Sequence, residues 1–346
     1  MKFLRVSIIG EYGGCLDEGM KNVMDHLVNG LSKYHEIMPL SIEHVKYSLF
    51  KDPRISFLSP SFLVKIRSFQ PQIIHYVPSS GLTFFSLIRA QILGHYTSNA
   101  KIIVSCLQRT TKHRYLSRKM FSLLKPDLIL VQSRKTGRVI NDLGILTMFL
   151  PNGVDVEKFS PVSIRTKQKL REKYGLEDKF IILHSGHINN ARNVRVLGNL
   201  VEEDTSVIMV GSTSTKADQD LIKYLKKMGV IVWRKYFKNM QEIYNLSDCY
   251  VFPVTQADAS IELPLSVLEA MSCNLPVIST RFGGLSDVFE EGDGLFWVDD
   301  ERSFIDRINI IKNGNFYTGT RKKILSLSWE KVCENLNRIY EVEVET

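Results

Sequence analysis

The sequence predicts two successive α/β units, each a parallel β-sheet flanked by helices. Three observations carry this. The 346 residues exceed what one hydrophobic core of ordinary size holds and suit two domains of roughly 150 residues each. Short β-branched apolar runs alternate with longer amphipathic stretches along the chain, the pattern of repeated strand–helix units. The alternation breaks at 151–161, where PNGVDVEKFSP joins two prolines and an Asn-Gly turn with no helical period.

Strands are expected at 4–9, 73–76, 102–106, 128–131, 180–184, 206–210, 231–233, 250–252 and 277–279, each an apolar run short enough to cross a sheet once. Helical periodicity marks 19–34, 218–228 and 265–271. It returns at 326–340, where Trp329, Val332, Cys333, Leu336, Ile339 and Tyr340 fall on one face. That last face can pack on the nearest domain or cross back to the first; periodicity allows both.

Composition narrows the class. Apolar residues make up 44% and charged residues 24% of the chain, as in a globular protein. The apolar run near the N-terminus is too short for a signal-peptide core, and no stretch approaches the ~20 apolar residues of a spanning helix. Cys15, Cys106, Cys249, Cys273 and Cys333 are widely spaced with no CxxC pair, so they imply neither zinc nor disulfides, and a cytoplasmic location is expected. The net charge of +8 is uneven: residues 1–150 carry 20 Lys and Arg against 9 Asp and Glu, the remainder 25 against 28. A basic first half beside a mildly acidic second half points to an anionic partner for the first half alone. Nucleic acid is disfavoured, because no zinc-finger spacing, RNP-like motif or Arg/Gly-rich tract accompanies the charge.

Three segments carry candidate chemistry. The loop Gly10-Glu-Tyr-Gly-Gly14 follows a strand and precedes a helix; it is either a tight turn or a close backbone approach to a phosphate. After the strand at 180–184 comes SGHINNARN, in which Gly186, His187 and Arg192 read as a diphosphate cradle or as a solvated loop with an ordinary cap. Glu269 sits inside the apolar helix PLSVLEAMS. Buried without donors, a carboxylate there would cost several kcal/mol, so it needs either a ribose diol or a salt bridge. Gly283-Gly284, ahead of Asp287, offers backbone amides at another helix start.

PNGVD at 151–155, SG at 185–186, PLSVLEAMSCNLPVIST at 264–280 and FGGLSDVF at 282–289 resemble, in order and spacing, the family-4 retaining glycosyltransferases of the GT-B fold. The Gly13-Gly14 loop and SWEKV at 328–332 fit the two ends of that family. The resemblance implies two Rossmann-like domains facing across a cleft. An acceptor domain would span 1–155, with the closing helix 328–346 returning to it, and a nucleotide-sugar domain would span 156–327. Carried over, Glu269 would bond the ribose, and Gly283, Gly284 and Leu285 would present amides to the donor sugar or diphosphate. Gly14 would close on the diphosphate, Tyr236 would contact the base, and Leu265 would line the donor site. Arg192 and Glu269 would carry most of the transfer chemistry, without an essential metal or other cofactor.

Three positions depart from the family pattern. His187 stands where a second fixed cation is common. Ile261 takes the place near that of the first of two paired glutamates, with Glu262 one residue out of register as its candidate substitute. Leu107-Gln108 replaces a His-Asp pair after the strand at 102–106. These departures keep a second reading open, a nucleotide-binding subunit of weak or absent activity.

The acceptor side is read from RTTKHRYLSRKMFSLLK at 109–125, which carries Arg114, Arg118 and Lys119 among its cations and no acid. It is either a core helix with a basic solvated face or a helix lying on an anionic cytoplasmic leaflet. The second reading suits a glycolipid or polyprenol-linked acceptor. FLSPSFLVKIRSF at 57–69 adds Lys65 and Arg67 to the same pattern. His75, at the end of the strand at 73–76, is a satisfied core histidine or a cleft-lining group.

Overall fold

Strands buried on both faces of a parallel sheet are apolar almost throughout, and the chain supplies them in two sets of six. In the computed structural model, which describes residues 2–14, 16–41, 59–79, 81–97, 100–109, 124–176, 179–214, 216–314 and 316–345, each set forms one sheet in one of two units. The first unit comprises Met1–Asn152, Ile261–Leu263 and Trp329–Thr346; the second comprises Gly153–Ser260 and Pro264–Ser328.

The first sheet contains β1 (Arg5–Gly10), β2 (Glu36–Ser41), β3 (Ile73–Tyr76), β4 (Lys101–Cys106), β5 (Leu128–Val131) and β6 (Thr147–Phe149), in the order β2-β1-β3-β4-β5-β6. Every pairing is parallel. Its helices are α1 (Gly19–Leu31), α2 (Pro60–Phe69), α3 (Phe84–His95) and α4 (Arg134–Asp142). Phe62 and Ile66 of α2, Leu87, Ala90 and Leu93 of α3 and Ile140 of α4 share one core with Ile74, Tyr76, Val104 and Cys106 of the sheet. Successive strand residues face opposite ways, so His75 and Ser105 lie on the other face.

The second sheet contains β7 (Phe180–Gly186), β8 (Thr205–Gly211), β9 (Ile231–Trp233), β10 (Cys249–Phe252), β11 (Val277–Ser279) and β12 (Leu295–Trp297), in the order β12-β11-β10-β7-β8-β9. Around it run α5 (Ile164–Tyr174), α6 (Gln219–Lys227), α7 (Met240–Leu246), α8 (Leu265–Ser272), α9 (Leu285–Val288), α10 (Glu301–Lys312) and α11 (Thr320–Ile324). Asp218 caps α6 by accepting from the Asp220 and Leu221 amides. After β7 the chain forms 3-10 turns at Asn190–Arg192 and Val194–Leu200 rather than an α-helix. Asn193, at φ 54°, breaks the helical path between them.

The last helix, α12 (Trp329–Glu345), belongs to the first unit and packs on α1. His26 stacks on Trp329 with ring centroids 4.8 Å apart. A Cβ on Gly30 would overlap Cys333 Sγ, so glycine allows the close approach of the two helices. Tyr340 is fully buried, with its hydroxyl 2.6 Å from His75 Nδ1, and His75 Nε2 lies 2.7 Å from Ser105 Oγ. His75 is therefore a satisfied core histidine, and burial lowers its pKa to about 3. Among the described residues, no helix is long and apolar enough to cross a membrane. The predicted basic helix, with Arg114, Arg118 and Lys119, lies almost wholly outside the described residues.

Candidate active site

In open parallel sheets, ligands bind beyond the carboxyl ends of strands where the strand order reverses. In the second sheet that reversal falls between β7 and β10, and the candidate residues of this unit lie in segments that follow carboxyl ends. Gly186, His187 and Arg192 follow β7, Tyr236 follows β9, Leu265 and Glu269 belong to α8 after β10, and Gly283-Gly284 follow β11.

The turn after β7 is shaped by one glycine. Gly186 adopts φ 151°, and a Cβ there would stand 2.9 Å from Arg192 Nη1 and 3.7 Å from His184 Nε2. Only glycine lets the buried Arg192 guanidinium sit against this backbone. Asn189 caps the 3-10 turn by accepting from the Arg192 amide at 3.1 Å, which sets where the arginine starts. Below the turn His184 is fully buried, and its Nδ1–H donates to the Val251 carbonyl at 2.8 Å. Its Nε2 then carries a lone pair with no hydrogen-bond partner among the described residues. Burial lowers the His184 pKa to about 4, helped by the Arg192 charge, so the ring is neutral near pH 7. His187, next in the loop, is half-buried.

Glu269 occupies the middle of α8, where Val267, Leu268, Ala270 and Met271 are buried. Tyr244 on α7 donates to Glu269 Oε2 at 2.8 Å. Ser185, the residue before Gly186, places its Oγ 3.1 Å from the Tyr244 hydroxyl, and Tyr250 donates to the Ser185 carbonyl at 3.3 Å. The Phe159 ring meets the Tyr244 ring edge-on at 5.7 Å. Arg321 of α11 holds that loop by donating to the carbonyls of Val156 and Phe159, each at 2.9 Å. Burial pushes the Glu269 pKa up to about 7, while the Tyr244 hydrogen bond and the nearby Lys158 pull it down.

Of the remaining expectations in this unit, Leu265 opens α8 and is buried, and Tyr236 is 47% exposed three residues past β9. Gly283 takes φ 56° in the turn before α9. The Leu285 amide is already bonded to the Phe282 carbonyl at 3.1 Å. This amide is therefore engaged in the turn itself.

The first sheet reverses its order between β1 and β3, and the Gly10–Gly14 loop follows β1 there. Gly13 and Gly14 adopt φ 86° and 82°, with open space where a Cβ would stand. Glu262 belongs to this unit rather than to the group around Glu269. Its Oε1 accepts from Ser133 Oγ at 2.9 Å and Thr136 Oγ1 at 2.7 Å, and its amide donates to the Leu107 carbonyl at 2.7 Å. It is 1% exposed, in the role of a buried acceptor at the start of α4.

Tyr244 and Ser185 have no distinguishing signal in the sequence. Tyr244 reads as an ordinary buried aromatic of a short helix, and its partners lie 25 and 59 positions away.

Comparison with known proteins agrees with this geometry. Residues 179–312 match the family described as glycosyl transferases group 1. A sulfoquinovosyl transferase from Arabidopsis thaliana is 28% identical over 261 residues, covering 70% of this chain and 49% of that protein. An Escherichia coli UDP-Gal:alpha-D-GlcNAc-diphosphoundecaprenol alpha-1,3-galactosyltransferase is 29% identical over 176 residues, covering 46% of this chain and 43% of its own length. The chain spans about half the length of the curated relatives it matches. Among solved structures, HepE from Anabaena in complex with UDP superposes with a TM-score of 0.76 at 15% identity, covering 98% of this chain and 100% of that one. The chain thus has the GT-B fold, and its residues 179–312 match the model of glycosyl transferases group 1.

Proposed function

We propose that this protein is a retaining glycosyltransferase that moves a sugar from a nucleoside-diphosphate donor to a lipid-linked glycan. The observation that carries the reading is the grouping at the β7/β10 reversal. A buried guanidinium and a glycine turn follow β7, and a carboxylate with one oxygen anchored by Tyr244 sits on the helix that follows β10. This supplies the two contacts a nucleoside diphosphate needs, a planar cation for phosphate oxygens and an acceptor for the ribose diol.

In this reading Arg192 and the Gly283 and Gly284 amides bear the charge that develops on the departing diphosphate, and Glu269 fixes the donor through its ribose. The acceptor oxygen attacks from the face the diphosphate leaves, so the anomeric configuration is kept without a protein nucleophile. Protein groups carry the diphosphate charge, so transfer should persist in a chelator. His187, Leu265 and Tyr236 complete the proposed donor contacts within the second unit.

Two observations support a lipid-linked acceptor at an anionic surface. One relative is named for a diphosphoundecaprenol acceptor. The outer layer of the first unit, α2, α3 and α4, carries six Lys and Arg against one acid, whereas α1 and α12 on the opposite face carry three against six. Val64, Phe85 and Val139 on the basic layer are exposed, a mixture suited to an anionic leaflet.

The test is a thermal-shift panel of UDP-, GDP- and ADP-sugars, followed by transfer to a polyprenyl-diphosphate saccharide with the product anomer read by NMR. Stabilisation by one donor and an anomer matching the donor are expected. No shift with any of them overturns the donor assignment. The engagement of Glu262 with Ser133 and Thr136 favours one alternative, a nucleotide-binding subunit without turnover. Donor binding without transfer would select it.

A further inference from the structure

We infer that Tyr244 is a positioning residue that aims Glu269 at the donor ribose and, through Ser185, ties that aim to the phosphate-binding turn. The inference rests on the donor reading above and adds to it a residue outside the family resemblance.

Hydrogen bookkeeping fixes the direction of the chain. A carboxylate only accepts, so the single phenolic hydrogen of Tyr244 goes to Glu269 Oε2 at 2.8 Å. The Tyr244 oxygen, 3.1 Å from Ser185 Oγ, can then only accept, and Ser185 donates to it. The order is Ser185 to Tyr244 to Glu269, with both donors directed at the carboxylate. No other hydrogen bond to the Glu269 carboxylate is found among the described residues. The anchored Oε2 therefore leaves Oε1 to a ligand.

The surroundings make this bond matter. Glu269 stands in an apolar helix with buried neighbours on both sides. The groups facing it are Tyr244 on α7, Ser185 on β7 and Lys158 from the loop before α5. Tyr250 on β10 bonds Ser185, and Cys273 lies one turn along from Glu269. Only Lys158 is cationic among these, and Arg321 is engaged with the carbonyls of Val156, Phe159 and Ser272. A ribose diol donates two hydrogen bonds and so needs the ionised carboxylate. Tyr244 favours that form; burial opposes it. Ser185 is joined through the chain to Gly186, so a diphosphate that seats on the turn acts on the same hydroxyl chain that holds the ribose acceptor.

The experiment measures affinity for UDP, GDP and ADP by calorimetry from pH 6 to 9 in the wild type, Tyr244→Phe, Ser185→Ala and Glu269→Gln. The phenylalanine keeps the ring and its edge contact with Phe159, and Ser185→Ala probes the same chain should the first variant fold poorly. Taking the ratio of variant to wild type at each pH cancels the titration of the nucleotide itself. For Tyr244→Phe we expect a loss of about tenfold at pH 6 that falls to about fivefold at pH 7 and shrinks towards pH 9, because the midpoint for binding moves up by about one pH unit. Ser185→Ala should show a smaller loss with the same pH trend. Glu269→Gln should bind weakly with a flat ratio above neutrality. A Tyr244→Phe ratio of one, or a loss that is constant with pH, overturns the positioning role while leaving the donor reading intact. Unchanged affinity in Glu269→Gln overturns the ribose assignment on which both depend.

Discussion

Two buried histidines near the carboxyl ends of central strands show how the two units differ. His75 in the first sheet has both ring nitrogens engaged, one by Tyr340 and one by Ser105. His184 in the second has one nitrogen on the Val251 carbonyl and the other facing the Gly186 turn without a partner among the described residues. The carboxylates differ in burial: Glu262, 1% exposed, accepts two hydroxyls on its Oε1, whereas Glu269 is only partly covered and has its Oε2 anchored by Tyr244. Buried polar groups are normally satisfied within the protein. His75 obeys this, whereas His184 Nε2 has no hydrogen-bond partner among the described residues.

The largest expected effect comes from removing the open carboxylate. Glu269→Ala should weaken nucleotide binding by about 30-fold, the loss of charged hydrogen bonds of about 2 kcal/mol, measured by calorimetry against UDP. Equal affinity would erase the contrast between the two glutamates. The unliganded fold should respond in the opposite sense. The folded-state pKa of Glu269, about 7, lies above the ordinary 4.5. The stability it contributes is present below pH 4.5 and lost as pH rises through 7. Glu269→Gln should therefore stabilise the unliganded protein at pH 8 by about 2 kcal/mol, read from urea midpoints.

A smaller effect is expected at the turn. Gly186→Ala places a Cβ 2.9 Å from Arg192 Nη1 at φ 151°. It should cost about 1–3 kcal/mol of stability and several-fold in donor affinity, seen in paired melting and binding curves. If only stability falls, the turn is structural.

Smallest for function is Tyr340→Phe, which strips His75 Nδ1 of its partner. We expect a stability loss of about 1–3 kcal/mol with nucleotide affinity unchanged. Acid should reveal both histidines. Their folded pKa values, about 3 for His75 and about 4 for His184, lie below the ordinary 6.5. The stability they contribute is present above pH 6.5 and is lost as pH falls from there towards 3–4. Urea midpoints at pH 7, 5.5 and 4 follow that loss.

Much of this frame is legible in the amino-acid sequence. The apolar runs at 73–76, 128–131 and 277–279 are strands at those limits, because a strand buried on both faces has little freedom in composition; the edge strand at 231–233 is marked by its β-branched Ile231 and Val232. β2 is hidden by its position. As an edge strand it is polar at several places and tolerates Pro39, whose missing amide costs nothing on the unpaired side. β6 (Thr-Met-Phe) and β12 (Leu-Phe-Trp) lack the paired β-branched residues that mark the equally short strands at 231–233 and 277–279. In the site, Glu269 is visible because a charge in an apolar helix demands an explanation. Tyr244 is not, since only the folded chain shows which buried tyrosine faces which carboxylate. The Leu285 amide escapes for a related reason, as the tightness of its turn with Phe282 is a backbone property that side-chain types do not encode.

Ile261–Leu263 illustrates what the chain's itinerary means for dissection and engineering. The Leu263 amide donates to Gln132 Oε1 at 3.2 Å and its carbonyl accepts from Asn152 Nδ2 at 2.8 Å, so three residues from the middle of the second half complete the first unit. With α12 also belonging there, the chain passes between units four times. A gene fragment ending at residue 152 would encode a sheet lacking its last helix and strip Ser133 Oγ and Thr136 Oγ1 of Glu262 and Gln132 Oε1 of the Leu263 amide. Swapping halves with a relative therefore requires three segments to travel together, and a chimera joined at one point inherits mismatched pieces of both parents.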